Sequence, residues 1–344
     1  MRFSVQNLDS HLNKILNHWQ ELWVEQPLLP LLRGGLDLYV FGGKRLRAQG
    51  LALGYELFAG TNQAALLSGA AAVELYQASA LAHDDIVDNA DTRRGKQSLH
   101  RYFEAAVRNS SLRQNAQVQG RDLAILAGDL LMSLAFEQAH QAVMLSGMHA
   151  ASLFFAKMTT EVGAGQFFDC ISEGDPRLDD PQVAFTNAMQ VITYKSARYS
   201  VSAPVIFGAL LAGNTNAEAL AGVLEPWGRA FQLRDDELGV FGDPTVTGKP
   251  AGDDLREGKR TALVALTLQK SQNRAKFLRL LGTELSFDEV HWMRTEIIEC
   301  GAFAAHEKLI ETQITEGENC LFALDIQNKQ MLSNYRDRLT KRRY

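Results

Sequence analysis

Proline is scarce in this chain: eight occur in 344 residues, and none lies between Leu31 and Asp175. A span without proline can stay helical over long stretches, and no segment shows the apolar/polar alternation bounded by turn residues that marks paired strands. Cysteine is scarcer still. Cys170, Cys300 and Cys320 are odd in number, widely spaced and lack any C-x-x-C pairing, which excludes a disulfide framework and a thiolate zinc site. The eight histidines show no H-x-x-x-H spacing, so a histidine zinc centre is excluded as well. Neither G-x-x-x-x-G-K-[ST] nor G-x-G-x-x-G occurs, which argues against a nucleoside triphosphate or dinucleotide ligand.

No run reaches the roughly 18 apolar residues needed to span a bilayer, and the start, Met1-Arg2-Phe3-Ser4-Val5, has no signal-type apolar core. The net charge of −5 gives no general attraction to nucleic acid or to an anionic membrane, so clustered Lys and Arg point to a local site for an anionic ligand. These absences predict a cytoplasmic enzyme or binding protein in a reducing compartment, with no nucleic-acid partner and no membrane span.

What is present reads as helix. Ala, Leu, Glu and Gln are abundant and apolar residues recur at three and four. The spacing predicts helices near 8–25, 37–58, 62–90, 121–145, 148–172, 182–212, 216–241, 259–281, 286–299, 303–324 and 327–341. Thr61 and Ser146 are the expected N-caps of two of them. Pro204 and Pro226 are expected to kink or restart helices, and the stretches 109–120 and 172–181 to form surface loops. The expectation is an all-α, single-domain bundle of ten or more helices over residues 1–344.

The chemistry-bearing residues are clustered. His83-Asp84-Asp85-Ile86-Val87-Asp88 closes an alanine-rich helical stretch, so Asp84 and Asp88, four apart, share a face at about 6 Å. Like charges there repel unless a cation, most simply a divalent metal, sits between them; a solvated acidic helix end is the plainer alternative. Gly42-Gly43-Lys44-Arg45-Leu46-Arg47 places three positive charges at a helix start, where they oppose the helix dipole unless an anion compensates. Arg93-Arg94-Gly95 adds two guanidinium groups, which either bind phosphate or neutralise Asp88 and Asp91.

Later come Gly128-Asp129, then Gln166 and Asp169 inside an apolar helix, where each needs a partner if buried. Lys195-Ser196 follows in another apolar stretch. A second acidic centre, Phe231-Gln232-Leu233-Arg234-Asp235-Asp236-Glu237-Leu238-Gly239, leads into Gly248-Lys249-Pro250 and Asp253-Asp254-Leu255-Arg256-Glu257-Gly258-Lys259-Arg260-Thr261. Two acidic centres, each flanked by basic residues, suggest a metal-bridged polyphosphate site.

In this order, from Gly42 to Thr261 and on to the basic tail Lys341-Arg342-Arg343-Tyr344, the motifs resemble the trans-isoprenyl diphosphate synthases. The resemblance implies an all-α bundle, usually homodimeric, with two aspartate-rich helices facing each other across a central cavity. It implies two or three Mg²⁺ ions held by Asp84, Asp88 and Asp235. The allylic diphosphate would be bound by Arg93, Lys195, Lys249 and Lys259, and isopentenyl diphosphate by Lys44, Arg47, Gln77 and Arg94. Ser196 and Gln232 would stabilise the carbocation.

Three departures matter. Gln77 and Ser196 stand where His and Thr are commoner in the family, and both keep a polar donor. Gly239 replaces the last aspartate of the second motif, leaving Asp235 as its principal ligand, with Asp236 or Asp243 able to help through water. Product length is expected to follow the helix before Asp84: Ser79 and Ala80 are small, so Tyr76 becomes the floor, predicting a product of about 20 carbons, geranylgeranyl diphosphate, with about 25 as the alternative; Ala80 and Tyr76 lie about 6 and 12 Å deeper than Asp84 at 1.5 Å per residue. The alternatives are a non-catalytic subunit of a heteromeric synthase, suggested by Gly239, and a class I terpene cyclase, which would not need Lys44, Arg47 and Arg94.

Overall fold

The computed structural model describes residues 3–110, 115–242 and 252–340. Asp243, Gly248, Lys249 and the tail 341–344 lie outside them. Among the described residues every regular element is a helix, apart from one two-residue antiparallel pair, and the chain divides into two compact units.

The first unit comprises residues 1–155 and 204–217. It holds α1 (Val5–Glu21), α2 (Leu29–Val40), α3 (Leu46–Leu57), α4 (Gln63–Val87), α5 (Leu99–Arg108), α6 (Ala116–Ser146), the start of α7 (Ala150–Ser172) and most of α9 (Ala203–Leu211). Its axis is α4, which buries Leu66, Ala70, Val73, Leu75 and Ala78 and packs chiefly against α6 and α3. By length and composition α4 would pass for a membrane span, but 72% of its apolar window is buried within the fold. Close helix approach depends on glycine. A side chain at Gly54 on α3 would lie 1.8 Å from the Val205 carbonyl oxygen, and one at Gly208 on α9 would lie 1.9 Å from that of Leu51, so these two backbones touch through paired glycines.

The second unit comprises residues 156–203 and 218–344. It holds the rest of α7, α8 (Pro181–Val191), a π-helix (Ile192–Ser202) and α10 (Ala221–Phe241). Shorter elements follow: α11 (Asp253–Glu257), α12 (Ala262–Lys270), α13 (Arg274–Leu280), α14 (Phe287–Glu299), α15 (Ala302–Ala323) and α16 (Lys329–Thr340). Here α10 is central, packing on the π-helix and α15 and burying Trp227, whose indole N–H donates to the Ile314 carbonyl at 3.3 Å.

The helix expectation holds, with local corrections. The predicted helix at 37–58 is two, because Gly42 (φ +83°) and Arg45 (φ +55°) break it. The predicted helix at 259–281 is also two, interrupted at 271–273. α5 went unpredicted: its ten residues are shorter than the windows in which the period is clear. Asn62, not Thr61, caps α4, accepting from the Ala64 and Ala65 amides. Ser146 ends α6 rather than starting α7, and its hydroxyl accepts from Met148 N at 3.3 Å. The loop 109–120 is shorter than expected, since Asn115 already caps α6, and 172–181 contains one short 3₁₀ turn. Pro226 lies inside α10 without ending it.

Candidate active site

In the first unit, α4 delivers Asp84 and Asp88. The helix ends at Val87, but the Asp88 amide still donates to the Asp84 carbonyl at 2.8 Å, so the one-turn relationship of the two carboxylates survives to the cap. Asn89 then adopts φ +48° and stops the helix. Asp88 is exposed and Asp84 half-buried, whereas Asp85 between them is fully buried. The helical phase of 100° per residue turns Asp85 inward, away from the two carboxylates that face out.

A hairpin follows. Thr92–Arg93 pairs with Lys96–Gln97, and the two-residue turn Arg94-Gly95 has φ +53° and +72°, the signs required by a type I′ turn. Arg93, at the strand end, points back to α4: its Nε donates to Asp85 Oδ1 at 2.8 Å, and its Nη2 lies 3.6 Å from Asp84 Oδ2. Arg94, in the turn, reaches the glycine loop instead. Its Nη1 donates to the Phe41 carbonyl at 3.1 Å, and its guanidinium lies 3.1 Å from where a side chain on Gly43 would begin. Burial first, then neighbouring Arg45 and Arg93, lowers the Arg94 pKa.

The same loop carries Lys44, exposed, and Arg47, half-buried in the first turn of α3. Arg45 between them is not available to a ligand. It is buried, pairs with Glu74 at 3.2 Å and Asp9 at 2.6 Å, and Glu74 also accepts from the Ala48 amide at 3.0 Å. The anion compensating this basic helix start is therefore in part Glu74 itself. Gln77 is half-buried on α4. His83 fits against Gly128, where a side chain would come within 2.5 Å of its Nε2, and it lies 3.3 Å from Asp129.

Ser79 is buried and Ala80 half-buried, and Tyr76 is buried against an aromatic group. Its ring meets Phe155 edge-on at 6.3 Å, and Phe155 in turn meets Phe136 at 5.3 Å and Phe207 at 5.4 Å.

In the second unit, Lys195 and Ser196 sit in the π-helix. This geometry is rare over eleven residues and concentrates at functional positions. Two glycines admit it. A side chain at Gly165 on α7 would lie 2.7 Å from the Lys195 amide nitrogen, and one at Gly228 on α10 would lie 2.8 Å from Ala197 Cα. Lys195 forms an ion pair with Asp169 on α7, the partner that an aspartate in an apolar helix needs.

On α10, Asp235 is exposed while Asp236 and Glu237 are buried. Gln232 Nε2 donates to Asp236 Oδ1 at 2.8 Å. Burial, with Asp254, Asp235 and Asp169 as acidic neighbours, pushes the Asp236 carboxyl well above the usual range. Asp254, on α11, fills the space beside Gly239: a side chain there would begin 2.0 Å from Asp254 Oδ2. Lys259 lies 3.5 Å from Asp254 Oδ1 and 2.5 Å from Glu257 Oε2.

Among the described residues no group of three or more His, Cys, Asp or Glu side chains forms a ready-made metal cage. The donors present are carboxylate oxygens without thiolate or imidazole, one turn apart on α4. They suit a hard cation such as Mg²⁺, which takes one or two carboxylates and completes its shell with water and substrate phosphate.

Comparison with known proteins identifies the family. Residues 30–294 match the family model described as polyprenyl synthetase. A geranylgeranyl diphosphate synthase from Methanosarcina mazei is 30% identical, over 99% of this chain and 97% of its own. The geranylgeranyl diphosphate synthase of Sulfolobus acidocaldarius is 31% identical, over 85% and 84%. Among solved structures, a geranylgeranyl pyrophosphate synthase from Corynebacterium glutamicum, complexed with isoprenyl diphosphate and magnesium, superposes with a TM-score of 0.88 at 32% identity, covering 98% of each chain.

Proposed function

This chain belongs to the polyprenyl synthetase family of trans-prenyltransferases, and from that premise we propose that it condenses isopentenyl diphosphate with an allylic diphosphate to give geranylgeranyl diphosphate. The observation that carries the reading is the exposed end of α4, where Asp84 and Asp88 stand one turn apart with Arg93 anchored beside them. The name of the relatives' product and the depth of Tyr76 below Asp84 support the 20-carbon length.

Two or three Mg²⁺ ions would be held by Asp84, Asp88 and Asp235, and when bound they stabilise negative charge developing on the departing diphosphate. Arg93, Lys195, Lys249 and Lys259 bind that allylic diphosphate and hold it once the C–O bond breaks. Lys44, Arg47, Gln77 and Arg94 bind the diphosphate of isopentenyl diphosphate, orienting its double bond toward the allylic carbon. The Ser196 hydroxyl and the Gln232 amide oxygen face the cation with their negative dipole ends. The Gln232 N–H donates to Asp236, which fixes the amide's orientation. Attack by the double bond forms the new C–C bond, and the released diphosphate takes the proton that restores the alkene. Water must be kept out, since it would trap the cation.

We also propose that residues 1–344 act as one synthase domain and work as a homodimer. Exposed Ile125, Leu126, Phe136 and Met144 on α6 support a further apolar contact. A cytoplasmic location accords with Cys170, Cys300 and Cys320 forming no disulfide. Gly239 favours one alternative, a non-catalytic subunit that binds a partner synthase. Incubating the purified chain alone with Mg²⁺, isopentenyl diphosphate and dimethylallyl, geranyl or farnesyl diphosphate tests the reading and identifies the primer. Elongated diphosphate is expected; absence of turnover with every primer favours the subunit, and a cyclic hydrocarbon points to a cyclase.

A further inference from the structure

We propose that Tyr39 is a positioning residue, which sets the Arg93 guanidinium through Asp85. Tyr39 is buried near the end of α2. Its hydroxyl donates to Asp85 Oδ2 and accepts from the Leu99 amide at 3.0 Å. Asp85 Oδ1 receives Nε of Arg93 at 2.8 Å and also its Nη2. The result is one continuous line of contacts: Leu99 N–H, Tyr39, Asp85, Arg93, and then Asp84 at 3.6 Å.

The hairpin that carries Arg93 has only two residues in each strand. A pair that short holds no fixed geometry by itself, and a free arginine side chain samples many rotamers. The Asp85 carboxylate removes that freedom because the Nε–Nη2 edge of the guanidinium docks on it. Asp85 can serve only if its own orientation is fixed, and the tyrosine hydroxyl is what fixes the second oxygen. Burial and the hydrogen bond to Asp85 both raise the Tyr39 pKa, keeping the phenol a neutral donor. Neither contact uses Nη1 of Arg93. The middle aspartate of the first motif is thus a support for the arginine, with Tyr39 as its second anchor.

The inference rests on Arg93 binding the allylic diphosphate, and its test separates the two. Tyr39→Phe keeps the ring and removes the hydroxyl. Calorimetric titration with inorganic diphosphate in Mg²⁺ is performed on the unmodified chain, Tyr39→Phe, Arg93→Ala and the double variant, with Arg93→Lys replacing Arg93→Ala if the latter does not fold. Tyr39→Phe is expected to weaken diphosphate binding about tenfold in the unmodified background and less than twofold once Arg93 is replaced. In turnover assays it is expected to raise KM for the allylic substrate while leaving KM for isopentenyl diphosphate within twofold. An equal loss in both backgrounds, an equal rise in both KM values, or a lowered melting temperature with binding unchanged would overturn the proposal. Failure of the unmodified chain to elongate any primer counts against the proposed function, and the diphosphate titrations still decide the role of Tyr39.

Discussion

Asp254 occupies the space that any side chain at Gly239 would need: a Cβ there would lie 2.0 Å from Asp254 Oδ2 and 2.4 Å from its Cγ. The glycine that interrupts the second aspartate motif is therefore a steric partner of a carboxylate from α11, which lies against α10 at that point. The Asp254 backbone carbonyl accepts from the Lys259 amide at 3.0 Å, and its carboxylate faces the Lys259 ammonium at 3.5 Å. Restoring an aspartate by Gly239→Asp is accordingly expected to impair the enzyme by expelling Asp254 and loosening Lys259. Steady-state kinetics should show kcat/KM for the allylic substrate falling about tenfold or more, which corresponds to about 1.4 kcal/mol. The double variant Gly239→Asp/Asp254→Gly relieves the clash and should recover part of the loss. Higher activity in the single variant would show that Asp254 yields at little cost.

Gly228 stands in a comparable relation to the π-helix. Its missing side chain admits Ala197 Cα to within 2.8 Å of the Cβ position, with Ala197 O at the same distance. Both neighbours are backbone atoms, which cannot rotate away. Gly228→Ala should therefore push the turn carrying Lys195 and Ser196 off α10. The expected destabilisation is about 1–3 kcal/mol, the range for overpacking a filled interior. Thermal unfolding measures that loss, and a kcat that falls more than the folded fraction does would tie it to Ser196 and Lys195. A variant with unchanged melting temperature and kcat would mean that α10 can shift without consequence.

The long helices were legible because their periodicity runs over many turns, and the acidic and basic motifs were legible because like charges at fixed spacing are unfavourable without a ligand. What escaped were pairings between distant positions. Nothing near Arg45 in sequence indicates Glu74 or Asp9, so it read as one of three equivalent charges, although its burial sets it apart from Lys44 and Arg47. Tyr39 reads as an ordinary apolar position until Asp85 meets it across 46 residues. Lys195 pairs with Asp169, whose need for a partner is visible in the sequence while the partner's identity is not. Gly239 reads as the loss of one motif ligand; only the fold shows the Asp254 carboxylate beside it.

Product length should respond to Tyr76. Its ring is backed by Phe155 at 6.3 Å, so shortening the side chain opens depth only as far as that second ring. Tyr76→Leu is expected to shift the product distribution by about one five-carbon unit, and Tyr76→Ala together with Phe155→Ala by more. Burial of Tyr76 makes the alanine variants less stable by about 3–5 kcal/mol each, so the leucine variant is the cleaner measurement. Reverse-phase analysis of the dephosphorylated products reads the result, and an unchanged distribution would remove Tyr76 from the role of floor.

His306 should set how the stability of the second unit responds to acid. It is fully buried on α15, its Nδ1 3.9 Å from Glu237, with Arg234 and Glu307 as the other charged groups near it, and neither ring nitrogen has a hydrogen-bond partner. Burial, with Arg234 adding to it, lowers its pKa to about 4, below the value of about 6.5 in an unfolded chain. Between those values the unfolded state binds the extra proton, so this histidine's contribution to stability is lost as pH falls from about 6.5 to about 4. Glu237 acts in the opposite sense. Burial raises its pKa to about 8, so between about 4.5 and 8 the folded state holds the extra proton and stability from this group grows on acidification. In the overlap the two largely offset each other in the unmodified chain. Removing the histidine by His306→Leu should unmask the Glu237 term. Relative to the unmodified chain, the variant is expected to gain about 1.4 kcal/mol for each pH unit between 6.5 and 4.5, measured by urea unfolding across that range. A difference that stays constant with pH would mean that His306 titrates alike in the folded and unfolded states.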